Sequence, residues 1–272
     1  MNQEKSIELL QTALQGAVEA AQAIMQIYSS DFSTTMKDDG SPVTIADHAS
    51  NDVLVAHLSK TGIPLISEES LKAPFEERKN WDYVWCIDPL DGTKEFIKKN
   101  DEFAICVALV HQQQPILGII VSPIQETILV GGKVIPPAII RFEDIDRPSA
   151  WNYIEQKQQM NQPLVIAVSR SQGSGTDLKF NQSIKEQFGE VVFLKKGSAL
   201  KFFDLAMGHA DIYARYAPTM EWDIAAGQAI IEALGGKVIH AESGEPLYYN
   251  KANLYNPYFI VHTKSVIKHL GE

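Results

Sequence analysis

An apolar run, Tyr83-Val84-Trp85-Cys86-Ile87, leads directly into Asp88-Pro89-Leu90-Asp91-Gly92-Thr93. The run predicts a buried strand. The residues after it predict an abrupt change of direction, because Pro fixes φ and lacks an N–H, while Gly accepts conformations closed to other residues. In a strand that simply continued, Asp88 and Asp91 would point to opposite faces. A turn removes that restriction and can aim both carboxylates and an intervening carbonyl at one point. Hard divalent cations take oxygen ligands of this kind, and Mg²⁺ is commonly held by one or two carboxylates together with substrate phosphate. The Thr93 hydroxyl comes next, placed to handle a water. Taken alone, the same residues are equally an ordinary reversing turn, so the rest of the chain decides.

A chain of 272 residues can bury a large core as one domain or as two packed subdomains. The expected division is an N-terminal α+β part over residues 1–150, carrying most of the acidic candidates, and a C-terminal α/β part over 151–272. No apolar run approaches the ~20 residues of a membrane helix. Met1 to Ser6 lacks the basic-then-apolar pattern of a signal peptide. The only cysteines, Cys86 and Cys106, lie in apolar strand-like runs, as inert core thiols of a reducing cytosol would. The expectation is a cytoplasmic chain, monomer or homodimer, with peripheral association with the inner face of the membrane left open. A net charge of −10 argues against long nucleic acid as a partner. A small phosphorylated substrate remains compatible, because bound metal ions invert the local field of an acidic site.

Ile7, Leu10, Leu14, Val18, Ala21, Ile24 and Tyr28 recur at three- and four-residue steps and predict a long amphipathic helix. A loop is expected over Asp38–Pro42, a helix from Thr44 to Leu58 closed by Gly62, and a short strand over Ile63–Ile66. Strands over Phe103–Val110, Pro115–Val121 and Glu126–Val130 read as an antiparallel meander. Gly131 to Pro163, rich in Pro and Gln, reads as irregular. Beyond it strands (Leu164–Val168, Val191–Leu194, Ile212–Tyr216) alternate with helices (Thr176–Phe188, Ser198–Met207, Asp223–Leu234), and a late strand covers Phe259–Val261. Alternation of this kind predicts a layered α/β half.

Several constellations could carry chemistry. Glu68 ends a short strand, so a neighbouring strand could bring it beside Asp88; the bland alternative is a solvated Glu68-Glu69 pair. Asp223 reads as the N-cap of a helix whose Ala225, Ala226 and Gly227 would permit a close approach. Thr44 reads as an N-cap with Asp47 at the third helical position, a Thr…Asp analogue of a capping box. Alternatively Asp47 reaches a cleft and accepts the Thr93 hydroxyl proton, so that Thr93 accepts one from water. Ser169-Arg170-Ser171 and Lys196-Gly197-Ser198-Ala199-Leu200-Lys201 look like anion sites at a strand end and a helix start, with plain capping by Ser198 and a solvated Lys201 as the alternative. Arg215 is a weaker candidate of the same kind. The seven histidines show no zinc-ligand spacing, and no G-x-S-x-G, P-loop or G-x-G-x-x-G motif is present.

Taken in order, Pro42-Val43-Thr44-x-Ala46-Asp47, Ser67-Glu68-Glu69, Asp88-Pro89-Leu90-Asp91-Gly92-Thr93 and Trp222-Asp223-x-Ala225-Ala226-Gly227 resemble the inositol monophosphatase-like, lithium-sensitive phosphatase family. Within it, Gly92-Thr93-Lys94-Glu95-Phe96-Ile97, Ser169-Arg170-Ser171, Gly197-Ser198-x-Leu200-Lys201-Phe202 and Tyr213-x-Arg215 look most like the bacterial 3'(2'),5'-bisphosphate nucleotidases. The inositol branch typically has Thr-Asn-Phe rather than Lys-Glu-Phe after Gly-Thr. The resemblance implies an α/β (α+β) protein with the layered αβαβα sugar-phosphatase fold. It implies a Mg²⁺-dependent phosphomonoesterase, with two or three ions and Mn²⁺ as a possible substitute. The reaction would remove the 3'-phosphate of adenosine 3',5'-bisphosphate, giving AMP, with 3'-phosphoadenosine 5'-phosphosulfate as a related substrate and a link to sulfur assimilation. By position, Glu68, Asp88, the Leu90 carbonyl, Asp91 and Asp223 would hold metal, and Thr93 with Asp47 would orient or activate the attacking water. Ser169, Gly197, Ser198, Lys201 and Arg215 would face the nucleotide, with Glu68, Leu90, Asp91, Gly92, Thr93 and Asp223 also touching substrate. The rivals are an inositol or sugar phosphatase using the same site, and a non-catalytic nucleotide or metal sensor.

Overall fold

The computed structural model describes residues 2–36, 40, 42–155, 157–170 and 178–271. Asp38, Asp39 and Ser41 of the expected loop, Ser171 and the expected helix start at Thr176 lie outside them. In order, the chain forms α1 (Gln3–Tyr28), β1 (Thr34–Met36), β2 (Pro42–Thr44), α2 (Ile45–Leu58), β3 (Leu65–Ser67), α3 (Phe75–Arg78), β4 (Tyr83–Asp91), α4 (Thr93–Ile97), β5 (Ala104–His111), β6 (Gln114–Ser122) and β7 (Thr127–Gly132). It continues with β8 (Ala138–Arg141), β9 (Asn152–Tyr153), β10 (Leu164–Ser169), α5 (Leu178–Phe188), β11 (Val191–Lys196), α6 (Lys201–Ala206), β12 (Ile212–Arg215), α7 (Glu221–Ala233), β13 (Lys237–His240), β14 (Phe259–His262) and α8 (Lys264–Leu270).

Three apolar cores separate five layers. α1 and α2 bury Leu14, Ile24 and Leu54 against Trp85, Val107 and Ile119 on one face of a seven-stranded sheet ordered β3-β4-β5-β6-β7-β8-β9. The other face of that sheet, through Cys106 and Ile120, meets Phe202 of α6 and Ala226 and Ile230 of α7. The far side of those helices packs on Ala167, Tyr213 and Val261 of a five-stranded sheet ordered β11-β10-β12-β14-β13. Ile166, Ile184, Ile212 and Val266 then seat α5 and α8 on the outermost face. This is the αβαβα layering that the resemblance implied. Because β4, β5 and β6 are covered on both faces, they read as unbroken apolar runs. In α1 the predicted stripe is buried from Leu10 onward, whereas Ile7 is 48 % exposed.

The meander runs further than expected. β4 to β9 pair antiparallel in sequence, so Ala138–Arg141 and Asn152–Tyr153 are strands inside the stretch read as irregular. Ala138–Arg141 is four residues long and follows Pro136-Pro137; its pairing with β7, Leu129 opposite Ile139, and with β9, Ile139 opposite Asn152, marks it as a strand. In the smaller sheet β10 is parallel to β11 and β12, as alternation predicts, while β14 lies antiparallel to β12 and β13. Among the described residues no helix is long and apolar enough to cross a membrane.

The small residues of α7 serve packing. A Cβ on Gly118 of β6 would lie 2.0 Å from the Ala226 carbonyl, and one on Gly227 would lie 2.3 Å from the Phe202 ring. The helix therefore rests with its backbone directly on the sheet. Gly118→Ala is expected to lower the unfolding free energy by about 1–3 kcal/mol, since backbone, unlike a side-chain tip, cannot move aside cheaply. Urea unfolding monitored by far-UV circular dichroism measures this, and an unchanged midpoint would contradict it.

Candidate active site

β3 and β4 run parallel with Ser67 level with Ile87, so Glu68 and Asp88 leave adjacent strands side by side. The Glu68 N–H fixes that register by donating to the Ile87 carbonyl at 3.2 Å. Asp223, in the first turn of α7, completes the group: carboxylate oxygens of Glu68, Asp88 and Asp223 lie within 4.8 Å of one another, a cluster able to hold a metal ion. Asp88 is buried and the other two are half-buried.

β4 does not turn at Pro89 as expected. It continues to Asp91 through an irregularity in which Asp88 faces Cys106 and Asp91 faces Ala104. Three steps on β4 thus match two on β5, a bulge whose extra residue restores the parity that a plain strand would break. Both carboxylates consequently leave on one side. The loosened backbone is satisfied locally: the Pro89 carbonyl accepts from the Ser50 hydroxyl at 2.7 Å, and the Leu90 N–H donates to Asp88 Oδ1 at 3.0 Å. The reversal itself comes at Gly92, with φ +96°. A Cβ there would approach the Ser198 Cβ at 3.0 Å and the Glu102 carbonyl at 3.1 Å. Asp91 lies outside the tight group of three, and its Oδ2 accepts the Ala199 N–H.

Asp47 both caps α2 and accepts from Thr93. Its Oδ2 accepts the Thr44 N–H and the Thr44 hydroxyl, each at 2.7 Å, closing the capping box of α2. Its Oδ1 accepts the Thr93 hydroxyl at 2.9 Å, while the Leu90 carbonyl lies 3.3 Å from that same hydroxyl. The helix cap is thus also what aims Asp47 at Thr93.

Beyond the acidic group a cleft of about 140 Å³ opens. Asp91, Gly92, Ser169, Gly197, Ser198, Lys201, Arg215 and Asp223 line it; Glu68, Leu90 and Thr93 do not. Two expected caps are placed differently. α7 starts at Glu221, and Asp223 reaches back so that its Oδ2 accepts the Met220 N–H at 2.8 Å. α6 starts at Lys201, and Ser198 sits before it with φ +48°, outside any helical turn. Lys201 is buried, donates to the Ser198 carbonyl and lies 5.1 Å from the Tyr213 ring centre. Arg215 donates to the Ser169 hydroxyl at 2.7 Å, and its buried Nε has no hydrogen-bond partner. Sequence reasoning missed Glu102, which pairs with Arg170 and accepts the Gly197 N–H at 2.7 Å. No signal marked it, because its partners are 68 and 95 positions away.

The pattern of the Inositol monophosphatase family matches residues 6–269. The chain belongs to that family. The 3'(2'),5'-bisphosphate nucleotidase CysQ of Salmonella typhimurium is 35 % identical over 263 residues, covering 93 % of this chain and 99 % of that protein. A crystal structure of CysQ from Bacteroides thetaiotaomicron, described as a bacterial member of the family, superposes with a TM-score of 0.83 at 34 % identity, covering 94 % and 97 % of the two chains. An IMPase/NADP phosphatase complexed with Mg²⁺ and phosphate shares the fold, with a TM-score of 0.72 at 18 % identity over 93 % of this chain and 89 % of that one.

The electrostatics of the site follow from burial and crowding. Asp88 is pushed well above the usual carboxylate range, first by loss of water and then by Glu68, Asp91 and Asp223. Asp223 rises for the same reason, burial first and Asp91 second, with the Met220 N–H pulling the other way. Burial raises Asp91 to about 6 even though Lys201 and the Ala199 N–H favour its charge. These groups hold protons more tightly folded than unfolded. Their stabilising contribution is therefore complete below the ordinary value of 3.8 and, for Asp91, is lost as pH rises through about 6. A cation competes with the same protons. The rise in melting temperature on adding Mg²⁺ is accordingly expected to be larger at about pH 7.5 than at about pH 5.5. A thermal-shift series checks it, and an equal rise at both pH values would count against a carboxylate-bound cation.

Proposed function

We propose that this chain is a Mg²⁺-dependent 3'(2'),5'-bisphosphate nucleotidase. In this reading it hydrolyses the 3'-phosphate of adenosine 3',5'-bisphosphate to AMP and phosphate, accepts 3'-phosphoadenosine 5'-phosphosulfate as a related substrate, and serves sulfur assimilation. One observation carries the reading: the acids Asp91 and Asp223 line the same cleft as Ser169 and the bases Lys201 and Arg215. A substrate with two phosphates can use both kinds of group, one phosphate through cations on the acids and the other on Lys201 and Arg215. The nucleotidase relatives, about a third identical and matched over nearly their whole length, point the same way.

The donors suit hard cations: Glu68, Asp88, the Leu90 carbonyl, Asp91 and Asp223 offer only oxygen, and the buried carboxylates lack enough positive charge around them. They would hold two or three Mg²⁺ or Mn²⁺ ions. Bound there, such ions neutralise the phosphate dianion, make water a stronger acid and stabilise the leaving 3'-oxygen. The chain's own contribution centres on Thr93. Because its hydroxyl hydrogen points to Asp47 Oδ1, its oxygen lone pairs are free to accept from a water. As the water oxygen bonds to phosphorus and the P–O3' bond breaks, the water proton passes to Thr93 and the Thr93 proton to Asp47, while the departing 3'-oxygen takes a proton from solvent and Asp47 later returns its own to solvent. Thr44 holds Asp47 at two points, so the acceptor does not swing away. Lys201 and Arg215 would pair with the second phosphate.

Thr93→Ala is expected to lower kcat by about 10²–10⁴-fold while Mg²⁺ binding persists. Near wild-type turnover in that variant would remove Thr93 from the mechanism. A phosphate-release panel tests the substrate: adenosine 3',5'-bisphosphate should turn over faster than inositol 1-phosphate, with activity abolished by chelation, restored by Mg²⁺ and inhibited by Li⁺. Preference for inositol 1-phosphate would favour the inositol phosphatase reading. Tight nucleotide binding without turnover would favour a sensor.

A further inference from the structure

Glu221 opens α7 two positions before Asp223, and its side chain is wholly buried. Its carboxylate receives the Asn250 N–H at 2.5 Å, the Lys251 N–H at 3.0 Å and the Lys251 ammonium at 2.6 Å. Asn250 is a buried residue at φ +58°, a conformation that a non-glycine residue holds only when its surroundings over-determine it. Its side chain exchanges two bonds with Arg78: Arg78 donates to Asn250 Oδ1 at 2.7 Å, and Asn250 Nδ2 donates to the Arg78 carbonyl at 2.7 Å. Arg78, 3 % exposed, also donates to the Lys251 carbonyl at 3.2 Å and, through Nε, to the Ala73 carbonyl at 2.9 Å. Ala73 lies one residue before the end of the segment that runs from Glu68 to Pro74. Within that segment Lys72 donates to the Glu68 carbonyl at 2.6 Å and sits 5.0 Å from the Trp222 ring centre.

The two ends of this network therefore land on two ligand-bearing pieces of chain, the start of α7 and the segment after β3. The segment has no helix or strand of its own from Glu68 to Pro74, so side chains must hold its distance from α7. The carboxylates it must keep close repel one another until a cation arrives. We propose that Glu221, Asn250, Lys251 and Arg78 form a brace that preorganises the Glu68–Asp223 spacing for cation binding, which makes them positioning residues. The brace rests on the reading of Glu68, Asp88 and Asp223 as cation ligands. It accounts for a buried acid–base network beside the centre none of whose members lines the substrate cleft.

The test is titration of the metal-free full-length protein with Mn²⁺, following free ion by electron paramagnetic resonance, and with Mg²⁺ by calorimetry. Glu221→Gln and Arg78→Met break the brace at opposite ends. Each is expected to raise the cation Kd by about 10-fold or more, with the double variant close to either single and kcat at saturating Mg²⁺ within about two-fold of wild type. The two singles, checked by circular dichroism, guard against loss of fold in one. Cation affinity unchanged in a folded variant overturns the brace. So does loss of fold in both, which would make the network a general stabiliser. A wild-type chain that binds neither ion overturns the metal reading itself and the brace with it.

Discussion

Glu68, Asp88 and Asp223 gather three carboxylates where loss of water raises Asp88 and Asp223 and the neighbouring charges, Glu68 among them, raise both further. Such an arrangement persists only if the backbone beneath it resists splaying. Three features provide that resistance. The parallel register of β3 and β4 sets Glu68 beside Asp88. The bulge in β4 turns Asp91 to the side of Asp88, with Ser50 and the Asp88 side chain satisfying the backbone it loosens. α7 lies flush on β6 because Gly118 has no side chain, which brings Asp223 down to the sheet. Charge at the centre thus explains features of the fold that packing alone would not require.

The cleft balances that charge with cations held close to it. Lys201 is pushed down to about 8 by burial and by Arg215, with Asp91 opposing, while Asp91 is pushed up to about 6 with Lys201 opposing. In each case burial outweighs the partner. Between them runs the 197–199 turn, in which Ser198 carries a positive φ. The N–H groups on either side of Ser198 are pinned by carboxylates from the large sheet's side: Gly197 by Glu102 and Ala199 by Asp91. The wall of the cleft is therefore set in part by Asp91, on the strand that carries Asp88.

Where local chemistry decides, the sequence was readable. Thr44 and Asp47 announce a capping box, and the box forms; the apolar runs of β4 to β6 announce doubly covered strands, and they are covered. The same local logic misplaced Ser198 and Asp223. Each has a side chain suited to capping, but one sits in a pinned turn and the other reaches back from the third helical position. Ala138–Arg141 escaped notice because a four-residue strand carries little periodicity and owes its state to β7 and β9. Glu102 and Glu221 were invisible for a different reason: a charged residue reads as solvated until its distant partners are known.

The amino-acid sequence alone determined most of the elements through periodicity and turn chemistry, and the order of its short motifs carried the family resemblance that implied the layered class and the ligand types. The tertiary structure decided which carboxylates meet. Strand register and the seating of α7 bring Glu68, Asp88 and Asp223 within 4.8 Å, and one inserted residue in β4 leaves Asp91 on their side but turned toward Ala199. Those are pairings between residues far apart in the chain, and no local preference encodes them.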